Sequence, residues 1–239
     1  MAFRNVYADA ERADAYSRLE FPGTYHLAYR DLPEVLARYV GGRRAVDFGC
    51  GAGRSTRVLR RLGFEAVGVD VSAEMIGKAR ELDPDGEYSL VRPGDRLPLA
   101  EGIWDLVLSA FTFDNIPQAK KAEHFRSLAR LLAPEGRIVS LVSTPEIYTH
   151  EWASFSTRDY PENREARDGD VVRIVMTDVT DRRPVEDVVC SKAGYLDIYL
   201  EAGLEVVGSH EPLGRTDEPF AGVSETRVPP WRIDVLKRT

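Results

Sequence analysis

The hydrophobic pattern changes character near residue 43. Before it, residues 1–40 mix charges, alanines and five tyrosines (Tyr7, Tyr16, Tyr25, Tyr29 and Tyr39). Their apolar spacing predicts helices, broken near Phe21-Pro22-Gly23 and again at Pro33, a residue suited to a first helical turn. From Arg44 onward, short continuous apolar runs alternate with stripes of helical period. RAVDF at 44–48, EAVGVD at 65–70, residues 88–91, WDLVLSA at 104–110 and RIVSLV at 137–142 read as strands. Between them lie three helical stripes. The first is Val58, Leu59 and Leu62. The second is Met75, Ile76, Ala79 and Leu82, with Ser72 as the expected N-cap. The third is Ala122, Phe125, Leu128 and Leu132, stopped by a turn at Pro134-Glu135-Gly136. Unbroken apolar strands suit a parallel sheet buried on both faces, and the alternation predicts a right-handed, doubly wound α/β fold.

Residues 144–190 interrupt this rhythm. Residues 171–179 and 184–189 read as antiparallel strands around Asp181-Arg182-Arg183, an insertion at the ligand-bearing edge of the sheet. The strand–helix pattern then resumes with a helix near 191–202, Gly203 as its cap, and strands at 204–209 and 231–237. The expected organisation is one domain over 1–239: a lid to residue 42, a core at 43–143, a substrate cap at 144–190, and a final helix and strands at 191–239.

A chain of 239 residues buries a core without staples, and two cysteines give neither a disulfide framework nor a zinc cluster. The net charge of −7 argues against a general nucleic-acid binder and against attraction to anionic membranes. No apolar run is long enough to span a bilayer, and the charged N-terminus lacks a signal-peptide core, so a cytoplasmic protein is expected. His26, His124 and His210 show no metal-ligand spacing, and no metal is expected.

The densest chemical signal is Val46-Asp47-Phe48-Gly49-Cys50-Gly51-Ala52-Gly53-Arg54, where the first strand turns into the first helix of the core. Glycines there let the backbone approach a ligand closely, at the crevice where open α/β sheets bind ligands. Asp70 ends the next strand, placed to accept from the two hydroxyls of a ribose. A dinucleotide fingerprint wants a third small residue where Arg54 stands. An extra acid, Asp47, favours a cationic ligand over a pyrophosphate, and S-adenosylmethionine, with its sulfonium and ammonium, is such a ligand.

Here the chain resembles the class I S-adenosylmethionine-dependent methyltransferases. VDFGCGAGR resembles the family's acid-x-Gly-x-Gly-x-Gly signature. VGVDVSAEMIGKAR, GDRLPL at 94–99 ahead of WDLVLSA, and LLAPEGRIV resemble its later motifs in order, covering roughly residues 43–143. The resemblance implies a Rossmann-like sheet of seven strands, mostly parallel with an antiparallel last strand, under an N-terminal helical lid. It implies that Gly49, Gly51 and Gly53 line the methionine portion and that Asp47 orients the loop or the ammonium. Asp70 is expected to hold the ribose, with Val71 and Met75 near the adenine. Asp95 is expected at the adenine amino group, with Gly94 and Arg96 beside it, and the Ser109 carbonyl toward the ammonium. Arg30 or Arg54 is expected to pair with the cofactor carboxylate, Arg30 being preferred as a lid residue. Tyr25 and Phe111 are expected to close against the cofactor.

Methyl transfer from a sulfonium asks the protein for orientation, water exclusion and, where needed, a base. The candidates are Asp114 and Asn115 after the fourth strand, for a substrate amine or hydroxyl, and His150 after the fifth, as general base. Asp114 reads equally as a helix cap, Phe111 and Phe113 as packing, and His150 as structural. The expected activity is methylation of a small metabolite by a monomer or homodimer. Phe113-Asp114-Asn115-Ile116-Pro117 departs from the motif of base-modifying amino methyltransferases. The alternatives are intramolecular ring closure releasing methylthioadenosine, an NAD(P) oxidoreductase, and a non-catalytic binding subunit.

Overall fold

The computed structural model describes residues 14, 23–92 and 94–239; Tyr7 and Tyr16 of the expected lid lie outside the described residues. Among the described residues, the short helices α1 (Gly23–Arg30) and α2 (Leu32–Tyr39) lead into the core. The core runs β1 (Arg44–Phe48), α3 (Arg54–Arg61), β2 (Glu65–Asp70), α4 (Ala73–Leu82), β3 (Glu87–Leu90), β4 (Trp104–Ala110), α5 (Gln118–Leu131) and β5 (Leu132–Ser143). β6 (Phe155–Ser156), β7 (Val171–Met176) and β8 (Val185–Val188) follow, then α6 (Lys192–Glu201), β9 (Leu204–His210) and β10 (Trp231–Arg238).

Seven strands form one sheet in the order β3-β2-β1-β4-β5-β10-β9. β10 runs antiparallel to both neighbours, and the other pairings are parallel. Strand alternation sends side chains to two layers. Ala45, Leu106 and Leu108 face α1–α3 and the inserted segment, while Val46 and Val107 face α5 and α6. The insertion is a separate antiparallel sheet of order β6-β7-β8, one strand more than the expected hairpin.

One boundary differs from expectation. The turn at Pro134-Glu135-Gly136 lies within β5, as an irregularity. Trp104 pairs with Leu132, but Leu106 pairs with Arg137, so β5 bulges between the two. Proline, which has no N–H to donate, is tolerated at a bulge. A Cβ at Gly136 would press on the Trp104 carbonyl, so glycine is required there.

Candidate functional site

The reversal of strand order between β1 and β4 opens a crevice at their carboxyl ends. The β1–α3 turn lies there. Gly49 has φ of +73° and its N–H donates to the Val69 carbonyl at 2.8 Å, which lashes the turn to β2. A side chain at Gly49 would overlap the Thr112 hydroxyl, which donates to the Phe48 carbonyl at 3.0 Å. Gly51, with φ of +53°, faces open space instead. Gly53, the residue before α3, backs onto the Tyr88 ring.

Two carboxylates frame this turn. Asp70 accepts from the Gly51 N–H through Oδ2 and from the Ser72 N–H through Oδ1, both at 2.8 Å. Asp47 is fully buried, and its Oδ2 accepts from the Ser55 and Thr56 hydroxyls at 2.6 Å. Burial, with Asp70 nearby, pushes the Asp47 carboxyl up to about 6, against the lowering effect of the two hydroxyls. Its Oδ1 is buried with no hydrogen-bond partner among the described residues. An orphaned acid oxygen, a second acid and an open glycine form a cradle that a cationic ligand completes, so these residues fit S-adenosylmethionine.

Arg54, first residue of α3, lays its guanidinium over the rings of Tyr25 (4.9 Å) and Tyr29 (5.3 Å). A cation at a helix N-terminus opposes the helix dipole, and the two tyrosine faces offset that cost. Arg30, the preferred partner for a cofactor carboxylate, is engaged elsewhere. It bonds Asp31 at 2.7 and 2.8 Å, the Leu213 carbonyl at 3.1 Å, and Glu218. It ties α1 to the β9–β10 connection, which leaves Arg54 at the crevice.

The remaining cofactor candidates divide. Val71 is exposed, whereas Met75 is buried and its N–H is capped by the Ser72 hydroxyl. Ser109 is buried near the end of β4. Gly94 and Asp95 lie on the exposed β3–β4 loop, and Arg96, expected beside the adenine, pairs with Glu101 at 2.8 Å on the surface. Cys50 is buried and its thiol is pushed well up by burial, as fits a small packing residue.

Beyond the end of β4 the site changes material. Phe111 has φ of +63°, a left-handed conformation that costs a bulky side chain energy. It is held there by its N–H bond to the Leu141 carbonyl (2.8 Å) and by edge contacts with Trp231 (4.7 Å between ring centres) and Tyr25 (5.6 Å). Residues 112–115 then form a 3₁₀ turn. Thr112 locks it to the glycine turn, while Asp114 and Asn115 face a cavity of about 40 Å³. Tyr25, Phe111, Tyr148, Phe155 and Trp231 supply its aromatic wall. Ser143, Ile147, Ile174, Met176, Val185 and Asp187 complete it, most of them on or next to the insertion.

Asp114 is not a helix cap: it accepts from the Ser143 hydroxyl (2.7 Å) and N–H (3.1 Å). Asn115 donates to Asp187 Oδ1 at 2.5 Å, and the Tyr148 hydroxyl donates to Asp187 Oδ2 at 3.1 Å. Burial raises both carboxyls, Asp187 further because Asp114 faces it. His150 stands apart from these groups. Its Nδ1 lies 3.1 Å from the Glu146 carbonyl and 3.0 Å from the Thr149 hydroxyl, and its ring is not in the cavity wall. Asp187 was missed, although Val185, Asp187 and Val189 share one face of β8 and its extension, and an acid between two buried valines was a usable signal. Trp231 was passed over as a strand residue.

Residues 46–140 match the methyltransferase domain family, a span that starts within β1, ahead of the glycine turn, and ends within β5. Over that span the chain carries a methyltransferase domain, and its fold is that of solved S-adenosylmethionine-dependent methyltransferases. Among the chain's relatives, the ubiquinone biosynthesis O-methyltransferase of Alkalilimnicola ehrlichii is 27% identical over 173 residues, 62% of this chain and 69% of that one. The 18S rRNA (guanine-N(7))-methyltransferase RID2 of Arabidopsis thaliana is 32% identical over 129 residues, 49% of this chain and 45% of its own. The fold matches that of the CcbJ methyltransferase of Streptomyces caelestis with a TM-score of 0.66 at 20% identity, covering 95% of this chain and 96% of that one. No helix among the described residues is long and apolar enough to cross a membrane, and none of their acidic, histidine and cysteine side chains cluster as a metal site.

Proposed function

We propose that this methyltransferase acts on a small-molecule acceptor whose reacting group enters the cavity beneath residues 144–190. The single observation that carries this is the 3₁₀ turn at 112–115, which joins the glycine turn at one end to the cavity at the other. A cavity of about 40 Å³ takes a few heavy atoms, since a single water needs roughly 10–15 Å³ on this measure. That favours a compact head group over a nucleobase, as does the net charge of −7.

In this reading Gly49, Gly51, Gly53 and Asp70 hold the cofactor, with Asp47 and Arg54 toward its charged groups. Bound there, S-adenosylmethionine supplies an electrophilic methyl on a sulfur that leaves as a neutral thioether. The aromatic wall excludes water and the side chains at 111–115 aim the acceptor. Incubation with S-adenosylmethionine and a panel of small amines, alcohols and acids, followed by mass spectrometry, tests this. S-adenosylhomocysteine together with an acceptor heavier by one methylene is expected. Methylthioadenosine in its place overturns the reading.

A further inference from the structure

Two carboxyl groups line the cavity, and among the described residues no lysine or arginine does. Asp114 and Asp187 line it from different elements, and their nearest partners, Ser143, Asn115 and Tyr148, are neutral donors. Lys121 is fully buried behind them, its Nζ 3.4 Å from both the Val188 carbonyl and the Tyr195 hydroxyl, and it is not part of the wall. Arg232 pairs with Asp234 at 2.9 Å. Lys121 is thus shared between Asp114 and Asp187, with Asp168 also in its field. When both carboxyls are ionised, one negative charge in the walls lacks a counterion among these groups. The rings of Tyr25, Phe111, Phe155 and Trp231 line the same cavity, and aromatic rings attract a cation.

Resting on the reading above, we propose that the group this cavity admits is a compact aliphatic amine, entering as an ammonium, and that Asp187 receives its proton. A carboxylate or phosphate acceptor would meet two like charges here, and an alcohol would leave the excess charge uncompensated. In the transfer, one ammonium N–H gives its proton to Asp187 and keeps its electron pair on nitrogen. That pair forms the bond to the methyl carbon as the carbon–sulfur bond breaks and its electrons stay on sulfur. The product is a methylammonium, S-adenosylhomocysteine and a proton on Asp187, which passes to water on release.

The surroundings of Asp187 suit this task. Asp114 from the 3₁₀ turn raises its affinity for a proton, as does burial; Lys121 from α5, the Tyr148 hydroxyl and the Asn115 amide lower it. Asp114 in turn faces Lys121 and Arg232. The balance leaves Asp187 raised to about 7, a carboxylate able to accept a proton near neutrality.

The test uses the S-adenosylhomocysteine complex of the full chain, titrated with ethylamine and propylamine against ethanol, propanol and propionate by ligand-observed NMR. The amines are expected to bind at least about tenfold more tightly than the alcohols, with propionate excluded. Asp187→Asn is expected to remove most of that preference, and Asp114→Asn serves as the second variant if the first fails to fold. In turnover, the acid limb of the kcat/KM profile is expected to be present in the wild type and absent in Asp187→Asn. Alcohols binding as well as amines, or an unchanged amine preference in both variants, overturns the inference. Binding is read without turnover, so an absence of S-adenosylhomocysteine formation counts against the transfer reading alone.

Discussion

At the β1 turn the crevice surface is main chain: Gly51 opens onto space, and Asp70 braces its N–H. Beyond the end of β4, about one short turn away, it is side chain: two acids and five aromatic rings, drawn from α1, β6, β8, β10 and the turns between elements. In the function proposed above, the difference follows from what each half would recognise. A donor that never changes is gripped by backbone groups that substitution cannot alter, except by filling the glycines. An acceptor that differs between enzymes of one fold is met by side chains, which change without disturbing the sheet.

Separating the halves is therefore the sharpest test of the comparison. The largest effect is expected from Trp231→Ala, which empties the aromatic cluster and removes the indole bond to the Thr24 carbonyl. Stability should fall by about 3–5 kcal/mol in chemical denaturation. Calorimetry at low temperature should still show S-adenosylhomocysteine binding within about threefold of wild type, a change under 1 kcal/mol. Donor affinity lost along with stability would mean that the halves are one unit.

Next comes the pH dependence set by Asp47. Its carboxyl is raised from 3.8 to about 6 in the folded chain, so the folded state holds the proton more tightly than the unfolded state. Its contribution to stability is complete below pH 4 and is lost as pH rises through 6, a change on the order of 3 kcal/mol. Melting temperatures across pH 4–7 should show that decline, and Asp47→Asn should flatten it. Asp70→Ala should weaken S-adenosylhomocysteine binding by about 1.5–3 kcal/mol by calorimetry, the worth of hydrogen bonds to a charged group. An unchanged Kd would remove Asp70 from the donor half. The smallest effect belongs to His150→Ala. Outside the cavity wall, its loss should change kcat by no more than about twofold, the usual range for a surface substitution. A hundredfold loss of kcat would restore the imidazole to the chemistry.

The same division explains what the sequence disclosed. Asp47, Gly49, Gly51 and Asp70 were legible because the turn that uses them is local: Gly51 and Asp70 stand nineteen positions apart and meet through a strand–helix–strand unit whose geometry is general. The sheet was legible for a similar reason, since each strand announces itself by its own apolar run. Asp187 and Trp231 were not, because the partner of Asp187 is Asn115, 72 residues earlier, and that of Trp231 is Thr24, 207 residues earlier. Arg30 misled in the same way: Glu218, which claims it, is 188 residues away. Phe111 was named, but nothing in its neighbours predicts a left-handed backbone at a phenylalanine; the bond to Leu141 and the rings around it impose that.

Glu225 bears on how this enzyme is re-engineered. Fully buried, it accepts from the Thr24 hydroxyl at 2.6 Å and the Ala153 N–H at 2.8 Å through one oxygen, and from the Val223 N–H at 2.6 Å through the other. One side chain thereby knots the first described helix, the start of the inserted segment and the β9–β10 connection. A chimera that imports only a foreign insertion would put one of this buried carboxylate's three donors, the Ala153 N–H, on foreign chain. Exchanging acceptor preference between relatives calls for transplanting all three strips of chain together.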